Sequence, residues 1–270
     1  MRKQFCATLL TAISVALLIS CNNSQNDDPV RDLVFETVGK SNTYALLGIK
    51  SDLGPDNDLT CNDSLSLVLP TRLYGYDLTA LRDSLMKKAF GFLEPTTDAT
   101  VTKWLDDCQH ESGLKTRPVD IDAESADGFH RVTSSVVNMT DNLLVFCINT
   151  STYLPGAANG LESLQYLNFN LADGKILTLE TLFTPEGLKL LPEKLNAEAS
   201  QMPEYADEVT IESLPDDNNF YLAPDGKIVF SYQPMSVGPH SLGNVRIAFY
   251  PSYLQELMSP YGRDFFGLNQ

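Results

Sequence analysis

Residues 153–179 read YLPGAANGLESLQYLNFNLADGKILTL, and the punctuation of this stretch decides the fold. The stretch opens just after a strand predicted to end at Thr152, and the small residues Gly156-Ala157-Ala158-Asn159-Gly160 follow. A second strand is read over Ser163–Leu171, and Ala172-Asp173-Gly174-Lys175 then turns the chain into Ile176–Leu179. Asp-Gly tolerates the positive φ that tight hairpin turns need, so the second connection is antiparallel. The small-residue stretch has two readings. It either lets a ligand approach the backbone closely or only reverses the chain.

Working outward, hairpin signals outnumber strand–helix–strand units. Strands are predicted at Leu33–Val38, Thr43–Ile49 and Ser64–Leu69, the last ending at Pro70. Further strands are predicted at Phe129–Val137 and Leu143–Thr152. Asn219–Leu222 and Lys227–Tyr232 flank the turn Pro224-Asp225-Gly226, and Asn244–Phe249 adds a last strand. A helix capped by Asp77 carries Leu78, Leu81, Leu85 and Ala89 on one stripe and stops at Gly91. A second carries Val101, Trp104, Leu105 and Cys108, which makes Trp104 a core residue. A third opens at Pro185 with Leu188, Leu191 and Leu195, and Pro192 should kink or divide it. A short helix over Pro251–Met258 closes the pattern. The fold class is α+β, a mainly antiparallel sheet with helices packed on it. Ser112–Gly128 is polar and reads as a connection between two lobes, roughly 31–125 and 126–270.

The N-terminus carries an address. Arg2 and Lys3 precede an apolar run from Phe5 to Ile19, shorter than the ~20 residues of a spanning helix and suited to a signal peptide. The run ends in Leu18-Ile19-Ser20-Cys21, which resembles a bacterial lipobox. On that reading residues 1–20 are removed and Cys21 is lipidated. The alternative is an ordinary signal peptide with an incidental Cys. Several acyl chains hold a protein at a membrane where one does so marginally, so the expected membrane contact is through the N-terminal lipid only. Residues 21–30 are polar and read as a flexible tether. Asp27 and Asp28 are similar to signals that route lipoproteins to the outer surface, though a solvated spacer explains them equally. The expected location is the bacterial envelope, at the outer membrane rather than the inner.

Net charge is −16 for the whole chain, and loss of Arg2 and Lys3 with the signal would make it −18. Nucleic acid and anionic lipid both demand a basic patch, so neither is an expected partner. A basic protein partner fits, as does plain solubility. Of the five Cys, Cys61, Cys108 and Cys147 remain after Cys6 and Cys21 are set aside. A Cys61–Cys108 disulfide is the expected bridge in an oxidising compartment, with Cys147 a buried free thiol.

No catalytic motif stands out. His110, His130 and His240 are the only His, and none has metal-ligand spacing, so no metal or other cofactor is read. Gly160-Leu161-Glu162-Ser163-Leu164 is not a nucleophile elbow. Asp56-Asn57-Asp58 begins like a calcium loop, yet Cys61 and Leu67 stand where Gly and Glu belong. Asp216-Asp217-Asn218-Asn219 reads as a solvated turn. No catalytic residue is assigned.

The order Tyr153…Gly156-Ala157…Asn168-Phe169-Asn170-Leu171…Gly174-Lys175-Ile176-Leu177…Leu182-Phe183 resembles a bacterial envelope family of unknown function. So do Phe220-Tyr221-Leu222, Asp225-Gly226-Lys227-Ile228-Val229-Phe230, Gly238-Pro239…Gly243 and Tyr253-Leu254…Leu257-Met258. That family includes the extracellular part of lysozyme-sensing anti-sigma factors and the non-catalytic domain of some peptidoglycan deacetylases. Where it commonly has Gly-Gly-Ala-His, this chain has Pro155-Gly156-Ala157-Ala158, so the His is absent. Its usual aromatic, Glu and Pro-Tyr become Met235, Ser236 and Pro239-His240. The resemblance implies a non-enzymatic binding or sensing domain for an envelope glycan or a basic protein such as lysozyme. The alternatives are an envelope enzyme such as a glycan hydrolase, with His130 and Asp neighbours in a deep pocket, or a structural subunit of a surface complex. Ligand-binding residues are not assigned, and the sequence leaves the oligomeric state open.

Overall fold

The computed structural model describes residues 33–46, 59–73, 76–115, 127–155, 157 and 159–269. Cys21, the tether and Asp56–Asp58 lie outside them. The α+β expectation holds: a six-stranded sheet runs in the order β1 (Val34–Ala45), β2 (Thr60–Arg72), β3 (Gly128–Met139), β4 (Leu143–Tyr153), β5 (Leu161–Asn170), β6 (Lys175–Leu177). All pairs are antiparallel except β2 and β3. That parallel pair needs a crossover, which α1 (Thr79–Phe90) and α2 (Thr97–Lys115) supply. The sheet is continuous across position 125/126, since β2 pairs with β3. A second antiparallel sheet holds β7 (Phe220–Leu222), β8 (Ile228–Tyr232) and β9 (Val245–Phe249).

Strand β4 explains why there are two main cores, beside a small cluster at Leu46 and Cys61. Leu144, Phe146 and Ile148 face α1 and α2 with Leu67, Leu81, Leu85 and Trp104. Leu143 and Val145 face the other way, towards the second sheet, α3 (Leu179–Leu182) and α4 (Pro185–Ala199). A strand buried on both faces needs a continuous apolar run rather than alternation, and Leu143–Phe146 is one. Trp104 is core, as expected. Among the described residues, no helix is long and apolar enough to cross a membrane.

Several element boundaries correct the sequence reading. Among the described residues, the strands expected at Leu33–Val38 and Thr43–Ile49 form one strand, β1, because β2 partners it from Thr60 to Arg72 with one irregularity, between Val34 and Phe35. Pro70 lies inside β2, tolerated where the register slips between Val34 and Phe35. The N-cap of α1 is Leu78 rather than Asp77 and makes no side-chain cap bond; Asp77, one residue earlier, still accepts from the Thr79 N–H at 2.9 Å, and Gly91 ends the helix at φ 77°. Pro192 does not divide α4, which runs unbroken through it. Leu179, expected in a strand, opens α3, because Thr178 caps that turn and exchanges hydrogen bonds with Thr181. The Pro251–Leu257 segment is a 3-10 helix, and α5 (Pro260–Phe265) follows it.

The C-terminal segment docks on the entrance to α4 through two glycines. A Cβ on Gly187 would lie 2.2 Å from the Leu257 carbonyl oxygen, and one on Gly262 would lie 2.2 Å from that of Leu182. Backbone packs on backbone there, with Thr184 and Ser259 N–H groups donating to Leu257 and Leu182.

Candidate functional site

The two sheets meet along the outer edge of β5, which β6 covers only at Asn168–Asn170. An open edge leaves backbone groups that need partners. Here carboxamides supply them. Asn219 accepts from the Tyr166 N–H at 3.0 Å and donates to the Leu164 carbonyl at 2.9 Å. Gln233 accepts from the Leu164 N–H and donates to the same carbonyl. Asn168 reaches the other way, to Phe220 and Leu222 of β7. Asn138, placed by the irregularity in β3, donates to the Leu222 carbonyl.

Where this seam meets α1, a cleft of about 510 Å³ opens. Lys87 and Lys88 line one wall, and Gln165–Leu167 with Ile176–Thr178 line another. Asp217 and Asn218 form its rim. Both rim residues have left-handed backbone, φ 53° and 55°, a conformation that surrounding structure must hold. The Asn218 side chain accepts from the Leu179 N–H at 2.6 Å, and Lys88 Nζ donates to the Asp217 carbonyl at 2.8 Å. Burial lowers the Lys88 pKa, opposed by the Asp217 charge. Beneath the cleft Tyr166 stacks on Tyr221 with ring centres 4.2 Å apart. Burial raises the Tyr166 phenol well above the ordinary tyrosine range.

A second polar feature lies under the helical face of the main sheet. Cys61 and Asp63 begin the inward row of β2 that Leu65, Leu67 and Leu69 continue, and His130 is the register partner of Asp63 on β3. His130 Nδ1 is 2.7 Å from Asp63 Oδ1, while Cys61 Sγ is 3.6 Å from that oxygen and 3.7 Å from that nitrogen. Burial alone would lower the His130 pKa, but the hydrogen bond to Asp63, with help from Cys61, raises it to about 9. This is not a nucleophile relay. Thiol and carboxylate converge on the same ring nitrogen, and Cys61 and Asp63 are fully buried, so no substrate reaches the sulfur.

The expected disulfide is absent: Cys61, Cys108 and Cys147 are free thiols. Cys61 is engaged by Asp63 and His130 instead. Cys147 is half-buried rather than buried, and burial raises both its pKa and that of Cys108. His110 and His240 are exposed. In the small-residue turn, Gly156 and Ala158 lie outside the described residues, while Ala157, Asn159 and Gly160 are exposed. None of those three lines the cleft. Val237 borders a smaller recess of about 80 Å³ beside Asn219, well below the size of a small-ligand site. Asp216–Asn219 is more than a solvated turn, because Asn219 is buried in the seam. Its signal was visible: four polar residues abut an apolar strand, so the last must find partners inside.

Comparison with known proteins agrees with this architecture. The family described as protein of unknown function (DUF3298) matches residues 180–249, which spans α3 from its second residue, α4 and the second sheet. A DUF3298 family member from Bacteroides fragilis has a similar crystal structure, with TM-score 0.66 and 19% identity over 87% of this chain and 96% of that one. A DUF3298 family protein from Pseudomonas aeruginosa PAO1 is also similar, with TM-score 0.51 and 14% identity over 83% of this chain and 94% of that one. At such identities the likeness establishes the fold. No curated protein matches the chain.

Proposed function

We propose that the protein is a lipid-anchored, non-enzymatic binding domain of the bacterial envelope, and that its ligand is a glycan fragment seated in the cleft between α1 and the sheet seam. The cleft carries this reading. At about 510 Å³ it has the size of a small-ligand site. Two lysine side chains, backbone polar groups and a held, strained rim converge on it. Lys87 and Lys88 suit a ligand carrying carboxylates, as peptide-bearing glycans of the wall do. The lipobox-like Leu18–Cys21 supports the anchor, and the resemblance to envelope families supports the ligand class.

Calorimetry with muropeptides at low salt tests it. Binding should be measurable and should weaken about tenfold or more in a K87Q/K88Q variant that unfolds like the parent. No heat with any muropeptide would end the glycan reading. The net charge of −16 favours a second reading, a basic protein partner such as lysozyme. That partner would bind with steep salt dependence and would not respond to loss of the two lysines. The anchor is tested by mass spectrometry of the membrane fraction, where a C21S variant should lose its acyl mass and its membrane association.

A further inference from the structure

We infer that Cys61, Asp63 and His130 form a structural binding site for a zinc-class divalent cation between β2 and β3. The three residues offer a sulfur, an oxygen and a nitrogen, the donors that zinc takes. These atoms lie within 4.8 Å of one another, and all three residues are buried. Tetrahedral zinc holds sulfur about 3.5 Å from a nitrogen or oxygen ligand, and nitrogen about 3.3 Å from oxygen. The two sulfur distances here, 3.6 and 3.7 Å, already match. Only the 2.7 Å hydrogen bond between His130 and Asp63 must open, by about 0.6 Å, as the ion replaces its proton.

The surroundings ask for a further partner. Asp63 Oδ2 is buried without a hydrogen bond, and so are Tyr44 Oη and Ser112 Oγ. A fully buried carboxylate with an orphaned oxygen is costly unless something else occupies the site. The Tyr44 hydroxyl faces Ser112 and Cys61 without meeting hydrogen-bond geometry to either. Bound as thiolate, carboxylate and neutral imidazole, the ligands carry two negative charges. A divalent ion makes the site neutral, which a buried location requires. Binding sets free the thiol proton and the Nδ1 proton of His130. No channel is needed, because a structural ion binds as the strands come together.

The test uses the full chain, unfolded in denaturant with chelator and then refolded by dialysis against Zn²⁺ or Co²⁺. One Zn²⁺ per chain should survive buffer exchange, and the Co²⁺ form should show a sulfur-to-metal charge-transfer band. C61S should lose both the band and the ion, while C147S keeps them. A Zn²⁺ content equal in C61S and the parent would mean binding by surface carboxylates, and would overturn the site. So would a parent chain that holds no ion or gives a Co²⁺ spectrum without the band. Should C61S fail to fold, the parent spectrum together with H130Q, expected to hold less than a tenth of the ion, decides the matter.

Discussion

Asn168 and Asn219 reach across the seam between the two sheets in opposite directions, each substituting for a missing strand. From β5, Asn168 donates to the Phe220 carbonyl at 2.8 Å and accepts from the Leu222 N–H at 2.9 Å. From the residue before β7, Asn219 binds Leu164 and Tyr166 of β5 and also donates to the Ser231 carbonyl. Both side chains are buried, at 1% and 2% exposure, so water cannot replace either.

Removing one carboxamide orphans at least two buried backbone groups. N168A and N219A should therefore each lower unfolding free energy by about 2–6 kcal/mol, at roughly 1–3 kcal/mol for each group left without a partner. Urea unfolding measures this. Because both lie in one network, the double variant should lose less than the sum. Strict additivity would mean that the seam is not cooperative.

Gly187 and Gly262 predict a second effect. G187A or G262A would force a methyl group to 2.2 Å from a carbonyl oxygen, so backbone must move. Each should cost about 2–3 kcal/mol, at the upper end of overpacking. Gly226 is the control. It has φ 82° but open space around a new Cβ, so G226A should cost about 1 kcal/mol. Thermal melts in that order check the docking of the C-terminal segment.

Thiol reactivity gives a third. Native alkylation should modify Cys108 and Cys147 before Cys61, since only Cys61 is fully buried. After denaturation without reductant, all three should react. Protection of Cys61 and Cys108 together under those conditions would reveal the disulfide that the structure lacks.

The cleft rim gives a fourth. Lys88 holds the Asp217 carbonyl, and Asp217 and Asn218 sit in left-handed backbone. K88M should speed amide exchange in 216–219 severalfold, with little change in global stability. Unchanged exchange there would show that Asn218 alone, through Leu179, keeps the rim in place.

The hairpins were legible because their signals are local. Asp173-Gly174 and Asp225-Gly226 carry the turns, with Gly174 and Gly226 at φ 71° and 82° as such turns require. The helix stripes, the Asp77 bond to the first turn and the stop at Gly91 were equally local. Pro70 and Pro192 misled because tertiary packing overrode their usual breaking effect. Cys61-Asp63-Leu65-Leu67-Leu69 did carry a hint, a carboxylate in the inward phase of a strand. His130 shares the inward phase with Val132 in the same way. Nothing in ligand spacing could connect them, since the two sites are 67 positions apart.

By itself, then, the sequence determined the α+β class, the antiparallel hairpins and the acidic, Cys21-bearing character of the chain. Period, turn chemistry and composition act within a few residues and need no fold to express them. Only the tertiary structure decided that β2 pairs with β3, which sets Asp63 against His130. It alone joined Asn168 and Asn219 across the seam and opened a cleft beneath Lys88. Those features are contacts between segments 50 or more residues apart in the chain. Such contacts form when the cores on the two faces of β4 bring distant strands into register, and no local propensity encodes that register.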